Sequence, residues 1–217
     1  MHNGYHRTLG ISARATDLFL FAMSIAMLGS LHAIKFNHLR HHRHCLDEYD
    51  VEGSAASLRA WQALCYGPLF TWRLHSYALL HAPLKLRSWV MAELAANGVW
   101  LFLVTQVFGN PALLYHVAVM VCAHCLTAFF AVWTVHHDCD RSHFIARTIR
   151  NRTSAWLTFE MFYHVEHHLF PAVPTCHLPE LAARLDGAAP ELQAARVFGG
   201  HRFESQRQSS SDKNPTR

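Results

Sequence analysis

The sequence predicts an all-α membrane protein: one transmembrane helical hairpin, flanking interfacial helices and a histidine-rich cap at one membrane face. Three features of the chain point there. Hydrophobic residues make up 51% of 217 residues, whereas Asp, Glu, Lys and Arg together make up 16%, below the roughly 25% charged fraction of soluble globular chains. Apolar runs at 89–108 and 112–135 are long enough to cross a bilayer as helices, which takes about 20 residues. The chain also holds 19 histidines, as many as its Lys and Arg combined, and they gather in tight clusters.

The elements follow in order. The run 18–34 is short and broken by Gly and Ser, which suits an interfacial or re-entrant segment. The run 61–80 carries Pro68, Arg73 and His75 in its middle, so a crossing there would be costly and it reads as interfacial. The two long runs are joined by Gly109-Asn110-Pro111, a turn that allows only a tight hairpin. Asn97, Gln106, His116 and His124 interrupt these helices and are expected to face protein rather than lipid. Beyond Leu178 the chain is amphipathic, with Pro179 as the first helical residue and Leu181 and Leu185 on one stripe. From about 199 it is polar and Ser-rich and reads as a disordered tail, so the organisation is a membrane domain at 1–186 and a polar segment at 187–217.

The net charge of +4 comes without the aromatic-interleaved basic stripe of a nucleic-acid reader, so no nucleic-acid partner is expected. The six cysteines read as reduced. Cys122-Ala-His-Cys125 lies inside an apolar run without a second pair, which favours helix packing over zinc.

Eleven of the 19 histidines fall in four clusters: His2 and His6; His38, His41, His42 and His44; His136 and His137; His164, His167 and His168. On a helix, positions i, i+3 and i+4 share a face, so each HxxHH is expected to offer two or three imidazoles to a single point. One HxxxH in a histidine-rich chain means little. Two HxxHH boxes have no packing rationale, because every buried ring needs a hydrogen-bond partner. Imidazole suits iron, copper, zinc or nickel, so ligand type leaves the metal open. Eight imidazoles exceed what one ion takes, which suggests two ions. Neither the ExxH of carboxylate-bridged helical bundles nor the HExxH of metalloproteases occurs.

These boxes, HxxxH, HLRHHRH and YHVEHHLFPAVP, resemble the three histidine boxes of the integral-membrane fatty acid desaturase superfamily, which also holds membrane hydroxylases, alkane monooxygenases and carotenoid ketolases. The similarity runs from His2 to about Leu185. It implies a non-haem di-iron centre of two Fe ions with His2, His6, His38, His41, His42, His164, His167 and His168 as ligands. A ninth ligand would be His136 or His137, with His136 preferred. His44 is then a neighbour of box two. His32, His75, His81, His116, His124, His143, His177 and His201 match no box and read as packing, interfacial or solvent residues.

The resemblance further implies an O2-dependent oxidoreductase that places a double bond in a fatty acyl chain presented as lipid, acyl-CoA or acyl carrier. The alternative on the same scaffold is a hydroxylase or ketolase of a carotenoid, alkane or sphingoid chain. Two electrons must come from outside, from a ferredoxin, rubredoxin or cytochrome b5-like donor with its reductase, because no GxGxxG, CxxCH or ferredoxin-type cysteine run is present. Asp138, Asp140, Glu160 and Glu166 are expected to orient the rings, and Phe129, Phe130 and Trp133 to wall a channel.

If all clusters meet at one site, an even number of crossings must separate any two of them. That permits the hairpin and forbids 18–34 and 61–80 as spans. Arg40, Arg43, Arg141, Arg147, Arg150 and Arg152 flank the clusters while the hairpin turn has no Lys or Arg, which puts the clusters on the cytoplasmic face. Members of the superfamily carry one or two membrane helices before box one, and here box one begins at residue 2. The chain is therefore expected to lack those helices, through a misassigned start, as a fragment or as a degenerate paralogue. A non-catalytic metal-binding membrane fragment is the alternative of another class.

Overall fold

The computed structural model describes residues 1–141, 145–194 and 196–197. His143, His201 and the tail expected from about 199 lie outside the described residues. Among the described residues there is no β-strand, only isolated bridges at Thr148. The helices are α1 (His2–Tyr5), α2 (Ala13–Met27), α3 (Leu31–His44), α4 (Ala60–His81), α5 (Leu84–Phe102), α6 (Pro111–Thr127), α7 (Thr134–His136), α8 (Arg152–Leu157), α9 (His164–Leu169) and α10 (Leu178–Ala188).

The hairpin is built from α5 and α6. A π-helical turn, Leu103–Phe108, prolongs α5; a second, Ala128–Trp133, joins α6 to α7. Gly109 then adopts φ 56°, a left-handed conformation open to glycine, and the Asn110 side chain accepts from the amides of Ala112 and Leu113 with Pro111 behind it. The spans Leu84–Phe108 and Pro111–His136 have 25 and 26 residues, or about 38 Å each at 1.5 Å per residue, enough for a hydrocarbon core of about 30 Å. Only 22% and 17% of their most apolar windows are buried within the protein. Val99, Phe102, Val107, Tyr115 and Val121 point outward, as helices solvated by lipid require. The hairpin thus runs from 84 to 136, slightly longer than 89–135.

Gln106 departs from expectation. It is exposed, in the last turn before Gly109, where the membrane edge can solvate its amide. Asn97 is buried as expected. The segment read as 61–80 forms the continuous helix α4, which takes Pro68 without breaking and packs along α6 and α3. At Gly67 any β-carbon would collide with the backbone carbonyl of Cys125, so glycine is what lets α4 and α6 touch backbone to backbone. Thr71 Oγ1 adds a bond to His124 O at 3.1 Å.

Helices α2 and α3 meet at a bend of 112°. Box one precedes α2 and box two ends α3, yet His6 Nε2 and His38 Nε2 lie 3.0 Å apart, so the bent pair leaves and returns to one site. Its break at 28–30 frees backbone groups that need partners. His116 Nε2 donates to Ala26 O at 2.8 Å and His124 Nε2 donates to Met27 O at 2.7 Å. Ser30 N donates to His75 Nε2 at 3.0 Å and His32 N donates to Glu93 Oε2 at 3.1 Å. Glu93, fully buried on α5, also takes Ser30 Oγ and His32 Nδ1, both at 2.6 Å. Trp89 stacks on His32 at 5.1 Å. Four histidines that match no box are therefore fastened around one break in the chain.

The cap is held by Arg150, which reaches Glu166 Oε1 and Asp186 Oδ1, each at 2.7 Å, and so ties box three on α9 to α10. Thr148 Oγ1 donates to Glu166 Oε2 at 2.6 Å. Leu178 and Ala182 of α10 pack on Ile149, Ala155 and Tyr163. Helix α10 begins at Leu178, so Pro179 is its second residue, where its missing N–H costs nothing.

Substitution of His124→Ala strips the part-buried Met27 O of its donor beside the break. Leaving a buried polar group unpaired costs about 1–3 kcal/mol, so the thermal unfolding midpoint in detergent should fall, whereas His81→Ala, at an exposed ring on its own helix, should leave it unchanged.

Candidate metal centre

The nine predicted rings meet at one place but in two groups. In the first, Nε2 atoms run His6 to His38 at 3.0 Å, His38 to His42 at 3.1 Å and His42 to His167 at 2.8 Å. His2 joins it, with its ring 4.2 Å from that of His167 and 4.8 Å from that of His38. In the second, the Nε2 atoms close a ring: His41 to His136 at 3.0 Å, His136 to His164 at 3.0 Å, His164 to His168 at 3.2 Å and His168 to His41 at 3.3 Å.

Of the two or three imidazoles expected from each HxxHH at a single point, two meet there and the third joins the other group. On α3, His38 and His42 enter the first group, and His41 the second. On α9 the pattern is exchanged: His164 and His168 enter the second group, and His167 the first. Residues i and i+4 are close to eclipsed on a helix, whereas i+3 is rotated to the side, so a box set between two points serves both.

The second nitrogen of each ring decides what the first can do. His136 Nδ1 donates to Ile145 O at 2.7 Å, which leaves a lone pair on Nε2. His41 Nδ1 faces Asp50 Oδ2 at 2.8 Å, and His38 Nδ1 faces Glu52 Oε1 at 2.9 Å. Burial raises the Asp50 pKa, but hydrogen bonds and the nearby His41 charge outweigh it and the net shift is downward. Two Nε2 lone pairs at 3.0 Å repel unless positive charge lies between them. A proton supplies such a charge: burial disfavours it on His41, but the Asp50 bond prevails and holds His41 well above the usual histidine range. Elsewhere burial keeps the rings neutral, His6 at about 4 and His42 at about 2, with His2, His38, His164, His167 and His168 also shifted down, helped by neighbouring imidazoles. Neutral imidazole is the ligating form.

The geometry fits metal. First-row ions bind imidazole at about 2.0–2.1 Å, so neighbouring nitrogens at right angles sit about 3 Å apart, close to the 2.8–3.3 Å found. Both nitrogens of His2 are buried without a hydrogen-bond partner among the described residues.

The sequence profile of the family described as Fatty acid desaturase matches residues 1–199. The chain belongs to that family. Membership supports a desaturase-type oxidoreductase held in a membrane. A stretch of 24 residues is 62% identical to the sphingolipid delta(4)-desaturase/C4-monooxygenase DES2 of Rattus norvegicus and 58% identical over the same length to that of Bos taurus. The match covers 11% of this chain and 7% of each relative. No solved structure matches the chain.

Within this desaturase fold the remaining expectations sort by contact. His136, preceded by the π-helical turn, enters the second group; His137 instead stacks on Trp133 at 4.0 Å and donates through Nδ1 to Trp133 O at 2.8 Å. Trp133 is packed between His137 and Phe129, and Phe130 is exposed. His44 pairs with Asp47 at 3.1 Å, outside both groups. The acids that touch the rings are Asp50 and Glu52, which sequence reasoning missed, while Asp138 is 83% exposed and Glu166 is spent on Thr148 and Arg150. Glu160 Oε2 is buried without a hydrogen-bond partner among the described residues. The signal lay eight and ten residues beyond His42, in an Asp-x-Glu at the turn after box two.

Loss of a ring from one group should cost one ion. Wild-type chain and His137→Ala are expected to hold roughly two ions, and His136→Ala roughly one, by elemental analysis of purified protein.

Burial pushes the Glu52 carboxyl up to about 7. A raised carboxyl stabilises the fold fully below its unfolded value of 4.5, and that contribution is lost as pH rises through about 7. In chelator-treated protein, Glu52→Gln should match wild type in thermal midpoint at acidic pH and exceed it above neutrality; equal midpoints throughout would contradict this.

Proposed function

We propose that the protein is a membrane di-iron oxidoreductase that uses O2 and two electrons to place a double bond in a fatty acyl chain. The observation that carries it is the pair of imidazole groups, each with Nε2 atoms about 3 Å apart. His2, His6, His38, His42 and His167 would hold one ion; His41, His136, His164 and His168 the other. Bound there, two irons supply O2 activation and hydrogen abstraction from unactivated CH2 groups.

The chain's own residues supply the setting. Asp50, Glu52 and the Ile145 carbonyl point three rings inward and hold their Nδ1 protons away from the centre. Neutral ligands leave the metal charge uncompensated, unlike bridging carboxylates. An open cleft of about 320 Å³ reaches His6 between Leu39, Pro171 and Ala172, with Arg7 and Lys35 on its polar side; its apolar wall suits an aliphatic chain. The balance is one saturated C–C unit, O2, two electrons and two protons giving one alkene and two waters.

The arginines around the boxes support a cytoplasmic site. An external ferredoxin, rubredoxin or cytochrome b5-like donor with its reductase would bring electrons, and the acyl chain would arrive on lipid, CoA or carrier protein. A second reading, hydroxylation, is favoured by one observation: the matched relatives are named both desaturase and C4-monooxygenase.

Expression in a host with donor and reductase, followed by lipid analysis, separates the readings. New double bonds are expected; hydroxylated chains would favour the second. Purified protein that holds zinc but no iron and consumes no O2 with any donor would mark a non-catalytic membrane protein.

A further inference from the structure

Nine imidazoles divide into five and four, and the smaller group has a sulfur beside it. Cys45 directly follows α3, four residues after His41 and therefore on the same side of the helix. Its side chain is buried. Sγ lies 3.8 Å from His41 Nε2, and 3.8 Å from Ile145 O, the same carbonyl that accepts from His136 Nδ1. The sulfur and the ligating nitrogens of His41, His136 and His168 all lie within 4.8 Å of one another. Among the described residues no cysteine joins the group of His2, His6, His38 and His167.

We propose that Cys45 is a ligand of the ion held by His41, His136, His164 and His168, its thiolate filling the place that a fifth imidazole fills in the other group. The inference rests on the metal-centre reading above. Metal–sulfur bonds of about 2.3 Å and metal–nitrogen bonds of about 2.1 Å put S and N about 3.8 Å apart when the two ligands are about 120° apart, which is the separation seen. On binding, the thiol proton leaves to solvent and the sulfur donates an electron pair; no oxidation state changes. The two ions are then chemically distinct, one bound by nitrogen alone and one by nitrogen and a soft thiolate. A buried cysteine otherwise behaves as a small apolar residue, and packing alone would give no electronic signature.

The test is to strip the full chain with a chelator in detergent, reload it with Co²⁺, count the bound cobalt and record its spectrum. Wild type and Cys139→Ser should show a near-ultraviolet thiolate-to-cobalt charge-transfer band. Cys45→Ser should lose that band while either keeping its visible ligand-field bands or holding one ion fewer. Two bound cobalt ions with no charge-transfer band in wild type overturn the assignment without recourse to any variant, as does a band that persists in Cys45→Ser. Failure of wild type to bind cobalt at all overturns the metal-centre reading itself, a different result from full loading without the band.

Discussion

Imidazole nitrogens facing one another across 3.0 Å need a proton or a cation between them, and much of this architecture serves to hold them there. Three of the rings are turned inward by what binds their other nitrogen. A carbonyl fixes His136, and carboxyl groups face His41 and His38. Burial then disfavours protonation, so most of the rings remain lone-pair donors. His41 is the exception because Asp50 compensates its charge.

Convergence of residues 2 to 168 imposes the topology. Every excursion between boxes must return to the same site, which the chain achieves in two ways: a hairpin of two candidate spans between box two and box three, and the bent pair α2 and α3 between box one and box two. A bent pair leaves an open turn, and an open turn beside apolar helices must be satisfied by protein. Here histidine does a second job. His75, His116 and His124 bond backbone groups at the break, and Glu93 gathers Ser30 and His32. The same side chain joins a cluster of rings or caps a helix according to whether it meets other imidazoles or peptide groups.

The interlocked use of the boxes gives both groups a shared frame. Because α3 and α9 each supply both groups, neither can shift without moving rings of both, and Arg150 ties α9 to α10. The π-helical turn before α7 changes the angular register of the last span, so that His136 faces the second group while His137 stacks on Trp133. Such turns recur in helices at functional sites.

The sequence alone determined the helical membrane character, the hairpin of two long apolar helices and the set of histidines that come together, because hydropathy, turn chemistry and i, i+3, i+4 spacing are local properties. It left open His136 against His137, missed Asp50 and Glu52 as ring partners and did not divide the third ring of each HxxHH from the other two. It expected His116 and His124 to face protein, but not that they and His75 would bond backbone groups at the break. Those questions belong to the tertiary structure, since they depend on which atom of a distant segment meets a ring nitrogen. Asp50 reaches His41 only because the chain turns back after α3, and His124 reaches Met27 O across 97 positions. Local spacing sets which residues share a face; only the packed chain sets what that face meets.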